Sequence, residues 1–370
     1  MLRFLIVQTA ASVVGLQCWM ILFNNFAVEV AGLNGLQVGI IGSVREVPGF
    51  LALLAVFVML VIREHRLSAF SIVLLGIGTG LTGLLPTFTG LIITTLIMSF
   101  GFHYYETTNQ SLTLQYFSTA TSPLIFGRLR SLAAATSIVV GLLIYLMGLV
   151  FSYRVMFLVI GALVVAAGIW GLLQDPTDRQ LTPQHRKMIF RRKYGLYYFL
   201  TFMAGARRQI VIAFSVYLLV KVFHCTVTEI TLLFVVNNAV NFVLSPLIGR
   251  AIVRFGERWI LSIEYGGLIG VFLVYAFTGS KLLVIVMYVL DHILFNFAIA
   301  IRTYFQKVAD PADIAPSMAV GFTINHIAAV VMPAIGGLLW MVDYRIPFIA
   351  GAVFSLVSLL AVQRIPRLAR

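Results

Sequence analysis

Acidic side chains are scarce in this sequence. It has 13 Asp and Glu in 370 residues, and with 26 Lys and Arg only 11% of the chain is charged. A soluble domain carries roughly 25% charged and about 45–50% apolar residues, whereas here 61% are hydrophobic and the mean hydropathy is +1.01. A water-soluble fold of this length has too little polar surface to cover so much apolar material, so the solvent is lipid. Cysteine is nearly absent as well. Cys18 in the first apolar run and Cys225 at a predicted outer loop make neither a disulfide framework nor a metal spacing. There is no Walker A lysine motif, no H-E-x-x-H and no G-x-S-x-G, so ATP-driven transport and standard hydrolase chemistry have no motif to rest on. No cleavable signal is expected, because the first run is too long and lacks a small-residue cleavage site.

What the chain does have is twelve apolar runs, at about 3–32, 36–62, 67–86, 89–117, 129–151, 155–173, 196–220, 227–249, 259–278, 282–305, 315–341 and 346–362. At about 20 residues per crossing, each can span a bilayer as a helix. Barrel strands would instead alternate over short segments. The expected class is an all-α membrane protein with twelve spans. Arg3, Arg63, Arg66, Arg128, Arg130, Arg179, Arg186, Lys187, Arg191, Arg192, Lys193, Arg250, Arg254, Arg258, Lys307, Arg364, Arg367 and Arg370 fall on one side. Only Arg154, Lys221, Lys281 and Arg345 fall on the other, while Arg45, Arg207, Arg208 and Arg302 lie within spans. This bias puts both ends in the cytoplasm. It also explains the net charge of +13 without a nucleic-acid partner, since the cations face an anionic leaflet. Compactness and outer loops of a few residues point to a bacterial inner membrane.

The one long polar stretch, around 174–195, separates a six-helix half at 1–173 from another at 196–370. An offset of 191 residues brings Tyr153-Arg154-x-x-Phe157 over Tyr344-Arg345-x-x-Phe348, Phe23 over Phe214, and Glu46 over Asn237. One shift that satisfies landmarks so far apart argues for duplication. Two parallel six-helix halves are one of the repeat plans of secondary transporters.

The loop expected between spans eight and nine reads Gly249-Arg250-Ala251-Ile252-Val253-Arg254-Phe255-Gly256-Glu257-Arg258. It resembles the loop signature of the major facilitator superfamily: a glycine, an acid four positions on, Arg-x-Gly and a final basic residue. Gly249, Arg254, Gly256 and Arg258 match, and Val253 replaces the acid. The first-half counterpart, Val58 to Leu67, keeps only Arg63 and Arg66. The resemblance implies the two-half, twelve-helix fold of that superfamily, with Gly249, Arg254, Gly256 and Arg258 as a gating loop. In the family this loop helps latch the outward-facing state through the acid that is missing here. Pro333-Ala334-Ile335-Gly336-Gly337 is similar to the family's antiporter signature but lies in span eleven; span five, where that signature is diagnostic, has no proline, so export is not read from it.

Charge inside a bilayer costs about 2.5–3.5 kcal/mol even on the mildest scale and marks functional candidates. Arg207-Arg208, about ten residues into span seven, is too deep for simple snorkelling. A guanidinium there can bind a carboxylate or phosphate bidentately, or the pair can be structural, facing Glu46 or Asp291. Adjacent residues point about 100° apart, so at most one of the two points straight at the cavity. Arg208, which overlays Gln17 in the repeat, is the preferred one. Arg45-Glu46, just before Pro48, is a packing or gating pair, or Glu46 carries a proton. Span four holds His103, Glu106 and Gln110 on one face, and span ten holds Asp291, His292 and Asn296 at similar depth. These groups can hydrogen-bond between helices or take up protons, with Glu106 and Asp291 the first choices for coupling. Asn24, Asn237 and Asn241 add hydrogen-bonding capacity in spans one and eight, which glues helices together or contacts substrate. Gly78-Thr79-Gly80-Leu81-Thr82-Gly83 fits a dinucleotide pattern but lies inside span three with no preceding strand, so it is read as close helix packing.

The leading expectation is a monomeric secondary transporter for a small organic or phosphorylated anion, using alternating access and a proton gradient. Its substrate set would be Arg207, Arg208, Gln17, Asn24, His103, Asn237, Asn241, His292 and Asn296, and its coupling set Glu46, Glu106 and Asp291. No cofactor, metal or catalytic residue is expected. Efflux of hydrophobic compounds, using the 13% aromatic content as cavity wall, is the alternative within the class. A transporter-like protein acting in membrane assembly or lipid handling is the alternative outside it. An intramembrane enzyme would have only Asp291 with His292 to work with.

Overall fold

The computed structural model describes residues 1–59, 61–178, 181–185 and 187–366. Arg179, Arg186, Arg367 and Arg370, four of the charges used for orientation, lie outside the described residues. Among the described residues twelve main helical segments follow one another. They are α1 (Leu2–Glu29), α2 (Gly35–Phe50, carried on through a 3-10 stretch, Leu51–Leu54, to Ala55–Val58), α3 (Glu64–Thr82), α4 (Phe88–Tyr116), α5 (Ser122–Gly148) and α6 (Tyr153–Leu172). After the central loop come α7 (Gly195–Ile210, a π turn at Val211–Ser215, then Val216–Lys221), α8 (Val227–Phe255) and α9 (Glu257–Phe277). The last three are α10 (Lys281–Phe295, a 3-10 turn at Asn296–Ala298, then Ile299–Val308), α11 (Ile314–Val342) and α12 (Arg345–Val362). Eleven of these are long and apolar enough to cross a membrane. The exception, α3, opens on Glu64-His65-Arg66.

Two boundaries differ from the hydropathy reading. Helix α5 begins at Ser122, not near 129, because the turns around Arg128 and Arg130 bury Ser122, Ile125, Phe126 and Leu129. Helix α8 runs on to Phe255, so most of 249–258 is helix and not loop. The charges of Arg250 and Arg254 suggested a loop, but the helix carries both on its exposed side. The chain turns only at Gly256, whose φ of +79° is open to glycine and strained for other residues.

The residues form two compact units. The first comprises Met1–Tyr116, Leu132–Ile189 and Asp310–Thr323, and the second Phe117–Ser131, Phe190–Ala309 and Ile324–Arg370. In the first, Trp19, Phe23, Phe26, Leu75 and Phe157 form the core of α1, α3 and α6. Gly161 and Gly80 let α6 and α3 touch backbone to backbone, since a Cβ on Gly161 would stand 2.6 Å from Gly80 Cα. That contact, with Gly78 against Met98 of α4 and Gly83 against Arg154 and Phe157 of α6, accounts for the glycine pattern of span three. In the second unit, Phe214, Leu268, Phe272, Tyr275 and Phe348 form the core of α7, α9 and α12. Phe23 and Phe214, and Phe157 and Phe348, occupy core positions of their respective units, as the 191-residue repeat requires.

The breaks in α2, α7 and α10 all sit beside polar residues: after Arg45-Glu46 and Pro48, after Arg207-Arg208, and after Asp291-His292. Irregular backbone at membrane depth is tolerated where protein re-satisfies the freed groups. Leu53 N–H donates to Thr323 Oγ1 at 2.9 Å. Asn296 Nδ2 donates to the His292 carbonyl at 2.8 Å.

Candidate functional site

Within the second unit the two adjacent arginines part company. Arg207 is fully buried, with its guanidinium 3.8 Å from Glu264 on α9, 4.4 Å from the Tyr265 ring centre, and donating to Ser358 Oγ on α12. The structural partner is therefore Glu264, not Glu46 or Asp291. Glu264 is itself fully buried. Arg208, one residue and about 100° further round α7, is exposed, with no hydrogen bond or ion pair among the described residues. The π turn follows immediately, and such turns recur at functional positions.

The second polar centre of this unit lies on α10. Asp291 is fully buried. Tyr275 of α9 donates its hydroxyl to Asp291 Oδ2, and His292 Nδ1 stands 2.5 Å from Oδ1. The same Nδ1 lies 2.8 Å from the Tyr288 carbonyl. One turn on, Asn296 donates to Asn241 Oδ1 of α8 at 2.5 Å and accepts from Arg130 Nε of α5 at 3.0 Å. His292, Asn296 and Asn241 thus fall together, with Arg130 added. Asn237 is 4% exposed, and neither atom of its amide has a hydrogen-bond partner among the described residues.

Within the first unit Arg45 donates to Glu46 Oε1 at 2.8 Å and lies 5.6 Å from the Trp19 ring centre. Its carbonyl accepts from Ser99 Oγ, which is 3.0 Å from His103 Nδ1. His103 is buried, whereas Asn24 is exposed. Gln110 donates to Glu106 at 2.7 Å, and Gln17 to Ser137 at 3.3 Å.

At the helix ends two acids of the following helices stand near the position of the missing loop acid. Glu64, opening α3, accepts from Gln115 at the end of α4 at 2.7 Å. Glu257, opening α9, accepts from Lys307 at the end of α10 at 2.8 Å. Both also sit in a first helical turn, where the macrodipole favours an anion. Gly249 lies where a Cβ would meet the Pro123 carbonyl at 2.5 Å, so it is a contact glycine between α8 and the start of α5. Arg254 is exposed against Phe255, and Arg258 donates to Gln363 at 2.9 and 3.1 Å. In the first unit the central loop grips the start of α11. Gln184 donates to the Pro311 carbonyl at 2.7 Å and accepts from Ala315 N–H at 2.9 Å, while His185 Nδ1 is 2.7 Å from Asp313. Tyr275, Ser358, Ser99 and this grip have no signature in the sequence, because each depends on which helices pack together.

Comparison with known proteins gives the fold. Residues 197–368 match the sequence model of the Major Facilitator Superfamily, and the chain has the fold of that superfamily's transporters across almost its full length. The Escherichia coli fucose:proton symporter FucP aligns with a TM-score of 0.80 at 13% identity, over 99% of this chain and 98% of the symporter. The human organic anion transporter MFSD10 (TETRAN) aligns at 0.74 and 10%, over 98% of both chains. A bacterial homologue of the iron transporter ferroportin, in an outward-facing state, aligns at 0.77 and 15%, again over 98% of both. No curated protein sequence matches the chain. The protein is a multi-pass integral membrane protein.

Proposed function

We propose that this chain is a secondary active transporter that moves small organic or phosphorylated anions, driven by protons, with both ends in the cytoplasm of a bacterial inner membrane. The fold serves sugar, organic-anion and iron cargo in the relatives above, so the fold leaves the cargo open and the residues must decide. The observation that carries the anion reading is Arg208. It is an exposed, uncompensated guanidinium in the interior of an apolar helix, beside a π turn. Held against lipid it would cost a few kcal/mol; facing water it is a free fork for a carboxylate or phosphate. Arg207, buried against Glu264, is left out of the substrate set. Asp291 is the preferred coupling acid, since it is the buried carboxylate in contact with both a tyrosine and a histidine.

Thermal unfolding of the detergent-purified protein with inorganic phosphate, acetate and citrate tests this, with choline and glucose as controls. Stabilisation by one of the anions, lost in Arg208→Gln, supports the reading. Stabilisation only by the controls, or an anion effect that survives in Arg208→Gln, overturns it and puts efflux of apolar compounds first.

A further inference from the structure

We propose that His292 and Tyr275 form, with Asp291, a directional proton relay: His292 collects the proton at Nε2 and passes it from Nδ1 to the occluded Asp291, which Tyr275 holds in place. This rests on the proton-coupled reading above and deepens it, and its test needs no cargo.

The argument starts from a tautomer. His292 Nδ1 lies 2.8 Å from the Tyr288 carbonyl, an oxygen that only accepts, and 2.5 Å from Asp291 Oδ1. The Tyr288 carbonyl demands a hydrogen on Nδ1, so the neutral ring is the Nδ1–H form and Nε2 carries a lone pair, while Asp291 Oδ1 stands beside the same nitrogen without an aligned hydrogen bond. Nδ1 is taken up by these two oxygens, Nε2 is left to collect the proton, and the His292 side chain is 31% exposed. Asp291 is 0% exposed. The imidazole is therefore the accessible partner of an occluded carboxylate, and the relay takes the proton to Asp291 through the ring.

The step balances without a further reactant. A hydronium gives its proton to Nε2, forming the Nε2–H bond; the Nδ1–H bond breaks, and an Oδ1–H bond forms on Asp291. One proton has been taken up, leaving a neutral carboxylic acid beside a neutral Nε2–H imidazole. The protonated Oδ1 then donates back to Nδ1, but the Tyr288 carbonyl has lost its hydrogen bond. That loss favours return of the ring to the Nδ1–H form once the acid is discharged. Tyr275 acts as a positioning residue. Its hydroxyl donates to Oδ2 and so leaves Oδ1 as the oxygen turned to the histidine. Few other groups bear on this site. Tyr288 and His292 come from α10 itself and Tyr275 from α9. Among the described residues, α8 offers Asn241 and Phe234, and the last turn of α7 ends in Lys221, which is exposed.

The test follows the infrared band of a protonated carboxylic acid after a pH jump on the detergent-purified protein. The wild type is expected to gain the band, and Asp291→Asn to lose it. His292→Gln should reach the same final amplitude but on the order of tenfold or more slowly, as befits loss of a general acid–base group. Tyr275→Phe should move the pH midpoint of the band while leaving its rate intact, a change that a merely structural tyrosine would not produce. Should Asp291→Asn fail to fold, Asp291→Glu must displace the band in frequency. A band untouched at position 291, or an unchanged rate in His292→Gln, overturns the relay. A working relay in a protein that carries no anion would sink the cargo reading alone.

Discussion

Arg207 and Glu264 face each other across 3.8 Å with neither side chain exposed. The pair is close enough for Coulomb attraction yet too long for a hydrogen bond. Arg207 Nε and Nη2, both Glu264 oxygens and the Tyr265 hydroxyl have no hydrogen-bond partner among the described residues. So many buried polar atoms without partners make the pair costly to hold and sensitive to the loss of either member.

Breaking a buried ion pair from one side leaves an uncompensated charge and costs about 3–5 kcal/mol, whereas replacing both members by apolar groups is often neutral. Arg207→Met and Glu264→Leu should each lower the unfolding temperature markedly, and the double variant should recover most of the loss. Arg208→Gln, on the exposed side of the same helix, should leave it almost unchanged. A differential scan of the wild type and the four variants in one detergent checks the ranking.

The start of α3 makes a pH prediction with two opposing parts. Glu64 is partly exposed as a residue, but its carboxylate is enclosed, and burial pushes it up to about 7 against the opposing hydrogen bonds of Ser111 and Gln115. An unfolded glutamate titrates near ~4.3. The folded chain binds the proton more tightly, so this group's stabilisation is complete below about 4.3 and is lost as pH rises toward about 7. His65 behaves in the opposite sense. Burial, with Arg66 and Arg63 alongside, holds its imidazole below the usual range against the pull of Asp175. Its contribution is complete above about 6.5, the unfolded value, and is lost as pH falls through the folded one. Unfolding temperatures measured across this range should therefore separate the two. Glu64→Gln removes the loss on the rising side, and His65→Gln removes the loss on the falling side. A pH profile the same in both variants as in the wild type would refute the assignment.

The grip of the central loop on α11 is local and should open locally. Gln184 satisfies the Ala315 amide, one of the orphan donors of a helix start, and His185 meets the fully buried Asp313 carboxylate. Loss of a cap costs about 1 kcal/mol, enough to raise the open population several-fold. Trypsin should cut within residues 187–193 several-fold faster in Gln184→Ala and in His185→Ala than in the wild type, with the global unfolding temperature little changed. Equal cleavage rates would mean that the grip does not order the loop.

Helix placement was legible in the sequence, and facing was not. Hydropathy placed all twelve helices, and the offset of 191 placed Phe23 with Phe214 and Phe157 with Phe348 in matching cores. It also found the intramembrane charges. It could not choose Glu264 over Asp291 as the partner of Arg207, because that choice depends on α9 and α12 packing against α7, and apolar runs look alike from every side. The breaks in α7 and α10 were hidden for a related reason. A π or 3-10 turn has no composition of its own, and only the polar residues beside it hint that backbone groups there find partners outside the helix.

Gly249 shows how a motif residue can be right for a different reason. The loop signature suggested a gating turn, but Gly249 lies inside α8, and its missing side chain makes room for the Pro123 carbonyl at the start of α5. One turn earlier on α8, the Ser245 carbonyl lies 2.5 Å from where a Cβ on Gly127 of α5 would stand. Two glycines thus let the helices meet at backbone distance, and Ser131 adds a bond to the Phe242 carbonyl at 2.6 Å. A methyl group at either glycine must push the helices apart, because the obstructing atoms are backbone and cannot rotate away. Overpacking of this kind costs about 1–3 kcal/mol. Gly249→Ala and Gly127→Ala should each lower the unfolding temperature. Gly266→Ala and Gly270→Ala, where nothing stands within 4 Å of the added Cβ, should leave it unchanged or raise it slightly, since alanine is the better helix former. If all four variants unfolded alike, the close crossing of α5 and α8 would be wrong. If only the first pair suffered, the motif glycine would be a packing residue, and any part it plays in gating would act through that crossing.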